Sequence, residues 1–235
     1  LGWYNDARFG NALETGHRYQ LTGEALPADY GDVTSIRYII PSVYAYLFRM
    51  PLIYPQEFPF VFVPNIDVSM WPSFIRLPAH YAYGEPIAGL LTLTPAVWLL
   101  LIPAITFIRR RPRGHADHEP KMVDSNEKSF IWVMLAGGCV LLFLPLLVFI
   151  STSLRYLADV LPFLTLLAAM SLWHGLESMR DRPGLRKLLV TVGVALLGAS
   201  VLMGVFSAFT IGTPFKARNL DLFLSIKAWF IWPNF

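Results

Sequence analysis

Long apolar runs separated by short polar stretches dominate the chain from residue 89 onward. The first, "GLLTLTPAVWLLLIPAITFI" (89–108), predicts a membrane-spanning helix. Twenty residues at about 1.5 Å each reach roughly 30 Å, the thickness of a bilayer's hydrocarbon layer. Pro95 and Pro103 are tolerable there if neighbouring helices satisfy the carbonyls they free. Three further runs predict spans over 130–150, 157–173 and 188–209. Before them, "SIRYIIPSVYAYLF" (35–48) is too short to cross, is rich in tyrosine and follows the helix-start signals Asp32 and Thr34. It is expected to be a helix lying on or dipping into one leaflet. The proline-punctuated "MPLIYPQEFPFVFVPN" that follows predicts an ordered, extended loop. The tail from 212 to 235 has an interfacial composition, with Trp229 and Trp232 near its end.

This pattern gives an all-α, polytopic helical membrane protein: about four transmembrane helices, plus an extracytoplasmic loop with interfacial helices. It divides into a loop region (1–88), a four-helix region (89–211) and an aromatic tail (212–235). Composition agrees, since 55% of residues are hydrophobic and mean hydropathy is +0.49, above the range of ordinary soluble domains. The net charge of +3 and the pI near 9.0 do not point to nucleic acid, because the cations sit beside the apolar runs.

Lys and Arg beside the spans orient the chain. "RRRPRGHADHEPKMVDSNEK" (109–128) and "HGLESMRDRPGLRK" (174–187) are rich in both, whereas the 151–156 connector has only Arg155. The two basic loops are therefore expected in the cytoplasm, with 1–88, 151–156 and the C-terminus outside a plasma (inner) membrane. The chain starts "LGWYNDARFG" without methionine or a signal-peptide pattern, so a fragment lacking earlier spans is expected. Cys139, the single cysteine, falls within an apolar run and reads as a small buried hydrophobe.

Candidate chemistry is sparse. "HADHE" (115–119) pairs two histidines with acids but reads as a solvated linker. Nucleophile-elbow, zinc-protease and phosphate-loop patterns are missing from the sequence. In the fourth run Ser200, Gly204 and Ala208 recur every fourth residue and predict one helix-packing face. In "SLRYLADVLPF" Arg155 and Asp159 stand one helical turn apart at the outer end of the third run. Either Arg155 reaches the interface and neutralises Asp159, or Asp159 holds its guanidinium for a lipid phosphate. Arg8, Glu14, Arg18 and Tyr19 pose a similar choice, between a self-satisfied capped turn and a polar pocket for sugar hydroxyls.

The segments "WYNDARFGNALETGHRYQL", "IIPSVYAYLFRMP", "EFPFV", "YGEPIAGLLTLTP" and "SLRYLADVLPFLTLLAA" occur in an order that resembles the C-terminal half of bacterial multi-pass glycosyltransferase-like proteins. These are related to the protein O-mannosyltransferases and other polyprenyl-phosphate-sugar-dependent transferases. The resemblance implies a helical membrane fold, a polyprenyl-phosphate-linked sugar as partner and transfer on the extracytoplasmic side. It puts the catalytic acid of the class in an earlier external loop, so no residue of this chain takes that role. Arg155, Asp159, Arg8, Glu14, Arg18 and Tyr19 remain candidates for substrate binding. No cofactor is assigned, and a divalent metal in the full-length enzyme is left open. The alternative is a non-catalytic lipid-handling, transporter or structural membrane protein, although the spans carry few polar groups for a midplane transport site.

Overall fold

The computed structural model describes residues 2–12, 34–64, 71–78, 81, 85–109, 122–211 and 215–230. Helix predominates, with one two-stranded sheet. Helix α1 (Gly2–Phe9) buries none of its residues. The 35–48 segment is helical in three consecutive forms: a 3-10 turn (Ile36–Tyr38), α2 (Ile39–Val43) and a π turn (Tyr44–Phe48). Its start is capped by Ser35, whose hydroxyl accepts from the Arg37 amide. Tyr38, Ser42, Ala45 and Tyr46 face inward while Ile36 and Ile40 are exposed.

The proline-rich stretch then forms a small antiparallel pair, β1 (Leu52–Ile53) with β2 (Val61–Phe62). Thr210 Oγ1 accepts from the Val63 amide at 3.3 Å and shares its proton between the Ser207 carbonyl at 2.9 Å and the Val61 carbonyl at 3.3 Å. Phe58 in the turn lies among Phe60, Phe206, Phe209, Phe223 and Phe230. The tail is helical too, as α9 (Phe215–Arg218) and α10 (Leu220–Trp229). Phe223 is its buried anchor in that aromatic cluster.

Residues 89–108 do not form the single helix expected. They make α3 (Leu90–Leu93), a 3-10 segment (Pro95–Leu100) and α4 (Leu101–Arg109). The break lies at Thr94 (φ −126°, ψ 72°), because a following proline disfavours helical backbone in the residue before it. Helix α5 spans Met122–Leu147, and α6 (Leu154–Leu157) opens the third apolar run. A turn separates α6 from α7 (Leu161–Ser178), since Pro162 has no N–H to offer the Ala158 carbonyl. Helix α8 (Pro183–Ala208) starts with proline in its first turn, where a missing N–H costs nothing.

Helix α7 is central and touches the 3-10 segment, α4, α5 and α8. A Cβ on Gly138 of α5 would lie 2.7 Å from the Phe163 ring, and one on Gly193 of α8 would lie 3.1 Å from Leu172. Gly175 touches Ile102 and Leu189, and the Ala96 amide donates to Ser200 Oγ at 2.8 Å. Ile102 and Leu189 both meet Gly175, Leu172 meets Gly193, and Ala96 meets Ser200, so 95–109 and α7 run one way and α8 the other. Gly138 meets Phe163 while Leu147 packs by the cluster of Leu157, so α5 also runs opposite to α7. The loop assembly and β-pair cover one end of this bundle. Arg109 and the α7–α8 turn, with Arg180 and Arg182, mark the opposite end.

Two helices, Ser129–Leu147 within α5 and Pro183–Ala208, are long and apolar enough to cross a membrane. Nearly all of their surface is outside the protein core, including Val133, Leu141, Val194 and Val201. A long soluble core helix would bury such residues, so these helices suggest a bilayer as their surroundings. The face of α8 that does pack is Leu189, Gly193, Leu196, Ser200, Met203 and Ser207. Its alternating steps of three and four follow a coiled-coil-like seam. Ser200 belongs to it, but Gly204 and Ala208 are exposed and a Cβ on Gly204 would meet nothing within 4 Å. The expected face of every fourth residue drifts off the contact. Cys139 is buried against Val160 and Leu167, as its sequence setting implies.

Candidate functional site

The connector after α5 is held from three sides. The Ser35 amide donates to the Val148 carbonyl at 2.8 Å, and the Glu85 amide to the Thr152 carbonyl at 2.9 Å. The Ser153 amide donates to the buried Tyr46 hydroxyl at 3.4 Å. The loop assembly thereby fixes where α6 begins, and Ser153 Oγ caps it by accepting from the Arg155 amide at 3.2 Å.

Arg155 projects from this capped turn. Its Nη2 ion-pairs with Glu85 Oε1, and its Nε donates to Glu85 Oε2 at 3.1 Å. Ser153 Oγ donates to the same Oε2 at 2.6 Å. The Arg155 side chain is 73% exposed and that of Glu85 43%, so the pair stands at the rim. An exposed ion pair contributes about 0–1 kcal/mol to stability, and its consequence here is orientation. The fork's Nε–Nη2 edge is occupied, while among the described residues Nη1 and one N–H of Nη2 make no hydrogen bond, on a side chain that is largely exposed. Such a planar pair of donors fits an anionic oxygen pair such as that of a phosphate.

Beneath the rim lies a buried aromatic and polar layer. Tyr38, Tyr46, Trp71, Ile75, Tyr81, Ile87 and Leu157 form its core. Tyr81 shares a 3.0 Å hydrogen bond with Ser42, and burial pushes its phenol up to about 12. Burial also raises the Tyr46 phenol, with the bond from the Ser153 amide opposing. Arg49 is buried with its guanidinium 5.3 Å above the Trp71 ring. Its carbonyl accepts from the Gly89 amide and the Thr92 hydroxyl, which ties the layer to the start of the 90–109 segment.

Of the expected site residues, Arg155 stands in a formed constellation and its carboxylate partner is Glu85. Asp159 lies exposed in the turn between α6 and α7, and among the described residues it makes no ion pair. That turn removes the continuous helix on which residues four apart would have met. Arg8 packs within α1, donating to the Tyr4 hydroxyl at 3.0 Å and lying 5.1 Å from the Phe9 ring centre. Among the described residues no hydrogen bond or ion pair joins it to Arg155. Glu14, Arg18, Tyr19 and the 115–119 histidines lie outside the described residues.

The sequence reading missed Glu85 and Ser153. Glu85 is the lone acid between Asp67 and Asp117, as Arg155 is the lone cation of its connector. Two isolated opposite charges flanking apolar runs on the same side were the available signal. Among the described residues no three His, Cys, Asp or Glu side chains converge as metal ligands. A groove of about 170 Å³ between the 3-10 segment, α7 and α8 is apolar, lined by Leu99, Ala168, Leu172 and Leu197 among others. Its polar member, Thr165, already donates to the Pro162 carbonyl, so the groove offers little to orient a polar ligand. Comparison with protein-family models, curated proteins and solved structures finds no match to this chain.

Proposed function

We propose that this chain is the C-terminal portion of an integral-membrane glycosyltransferase whose donor is a polyprenyl-phosphate-linked sugar. On this reading four segments cross the membrane: 90–109, α5, the α6–α7 run and α8. The basic loops lie in the cytoplasm, and the loop assembly lies outside a plasma (inner) membrane. The antiparallel order of the four segments and the described cations Arg180, Arg182, Arg186 and Lys187 at the end away from the loop assembly support that topology. The resemblance supports the reaction class.

One observation carries the reading: the largely exposed Arg155 guanidinium is held at the bundle's rim by Glu85, with donors that make no other side-chain bond among the described residues. Transfer to an acceptor hydroxyl breaks the bond between the sugar's anomeric carbon and the phosphate, so negative charge grows on the departing polyprenyl phosphate. A fixed guanidinium stabilises that charge. The general base belongs, by the resemblance, to an earlier part of the protein.

Donor-dependent transfer by the full-length protein tests the proposal. Arg155→Lys retains the charge but loses the fork, and we expect donor use to fall about tenfold with the fold intact. Wild-type transfer by both Arg155→Lys and Arg155→Ala would exclude Arg155 from the site and remove the proposal's structural support.

A further inference from the structure

We infer that Glu85, anchored by Ser153, is a positioning residue that presets Arg155 for an anionic phosphate headgroup. The inference rests on the phosphate reading of Arg155 given above.

Glu85 is attached to the 152–155 turn in four ways. Its amide donates to the Thr152 carbonyl. One carboxylate oxygen receives Ser153 Oγ and Arg155 Nε, and the other receives Arg155 Nη2. Ser153 also caps the turn from which Arg155 springs, so the carboxylate and the base of the arginine share one support. An exposed arginine otherwise samples many rotamers and must be ordered when it binds a ligand. Here the double contact with Glu85 supplies part of that ordering beforehand, by holding the Nε–Nη2 edge of the guanidinium and leaving Nη1 uncommitted among the described residues. Preorganisation of this kind raises affinity by lowering the entropic cost of binding.

A carboxylate beside the guanidinium repels a phosphate, so by charge alone removing it should tighten binding. Positioning requires the reverse sign. Glu85→Gln makes the site more positive yet frees the arginine, and it should weaken phosphate binding. Glu85→Asp keeps the charge but is one methylene shorter, so it cannot hold both guanidinium nitrogens from the same backbone position.

The experiment uses the full-length protein in phosphatidylcholine nanodiscs. It is titrated with a short-chain, water-soluble polyprenyl phosphate and with the corresponding unphosphorylated polyprenol. The readout is the preference for phosphate over alcohol, which a purely structural role for Glu85 would leave unchanged. We expect Arg155→Ala to abolish the preference. Glu85→Gln and Glu85→Asp should each lower it roughly three- to tenfold, the cost of ordering one long side chain on binding. Should Glu85→Gln misfold, as judged by thermal unfolding, Glu85→Asp decides alone. If Arg155→Ala loses the preference while the Glu85 variants keep or increase it, positioning is overturned and the phosphate reading stands. If Arg155→Ala keeps the preference, both are overturned.

Discussion

Gly89 and Leu47 meet backbone to backbone: a Cβ on Gly89 would lie 2.5 Å from the Leu47 carbonyl carbon. The Gly89 amide simultaneously donates to the Arg49 carbonyl at 2.6 Å. The 36–48 helical segment and the start of the 90–109 run are thus joined where only glycine fits.

Gly89→Ala should therefore separate the loop assembly from the bundle, because a backbone atom cannot rotate away as a side chain can. We expect a loss of about 1–3 kcal/mol, the range for overpacking a close contact, read as a lower unfolding temperature in detergent. Gly204→Ala, in open space within α8, serves as the control and should leave that temperature unchanged or slightly higher, since alanine favours helix.

Ser200 carries the polar contact between α8 and the 3-10 segment. Its Oγ accepts from the Ala96 amide and donates to the Leu196 carbonyl, both at 2.8 Å. Ser200→Ala leaves the Ala96 donor without this partner in apolar surroundings, at a cost of about 1–3 kcal/mol. Ser200→Thr retains the hydroxyl and should recover most of the loss in the same unfolding measurement.

How much of this was legible from the chain differs between elements. Apolar runs located α5 and α8, because length and composition decide whether a helix can cross hydrocarbon. They did not reveal the breaks at Thr94–Pro95 and Ala158–Pro162, where the local cost of proline prevailed over a continuous apolar pattern. On α8 the small-residue rule found Ser200 but missed the seam, since contact with α7 and the 3-10 segment follows alternating steps of three and four. Arg155 stood out as a lone cation. Its partner Glu85 lies 70 residues away, a distance that no spacing rule within one helix can bridge.

Tyr81 gives a pH dependence with a definite sign. Burial raises its phenol from 10.0 to about 12, so above pH 10 the unfolded chain releases a proton that the folded chain keeps. Stability contributed by the protonated, buried phenol is complete below pH 10 and declines as pH rises from 10 toward about 12. Tyr81→Phe should flatten that alkaline decline in unfolding temperature while costing some stability at neutral pH through the lost Ser42 hydrogen bond. An unchanged decline would mean that Tyr81 ionises without unfolding.

The claim that links this fold to its proposed function is that the Glu85–Arg155 rim and the basic loops lie on opposite faces of one bilayer. Single cysteines on a Cys139→Ala background test it most directly, with a membrane-impermeant maleimide applied to intact cells. Tyr54→Cys and Trp229→Cys should label without permeabilisation, both side chains being exposed at the loop-bearing end. His118→Cys and Asp181→Cys should label only after the membrane is opened. Labelling of position 118 or 181 in intact cells, with positions 54 and 229 protected, would contradict the account.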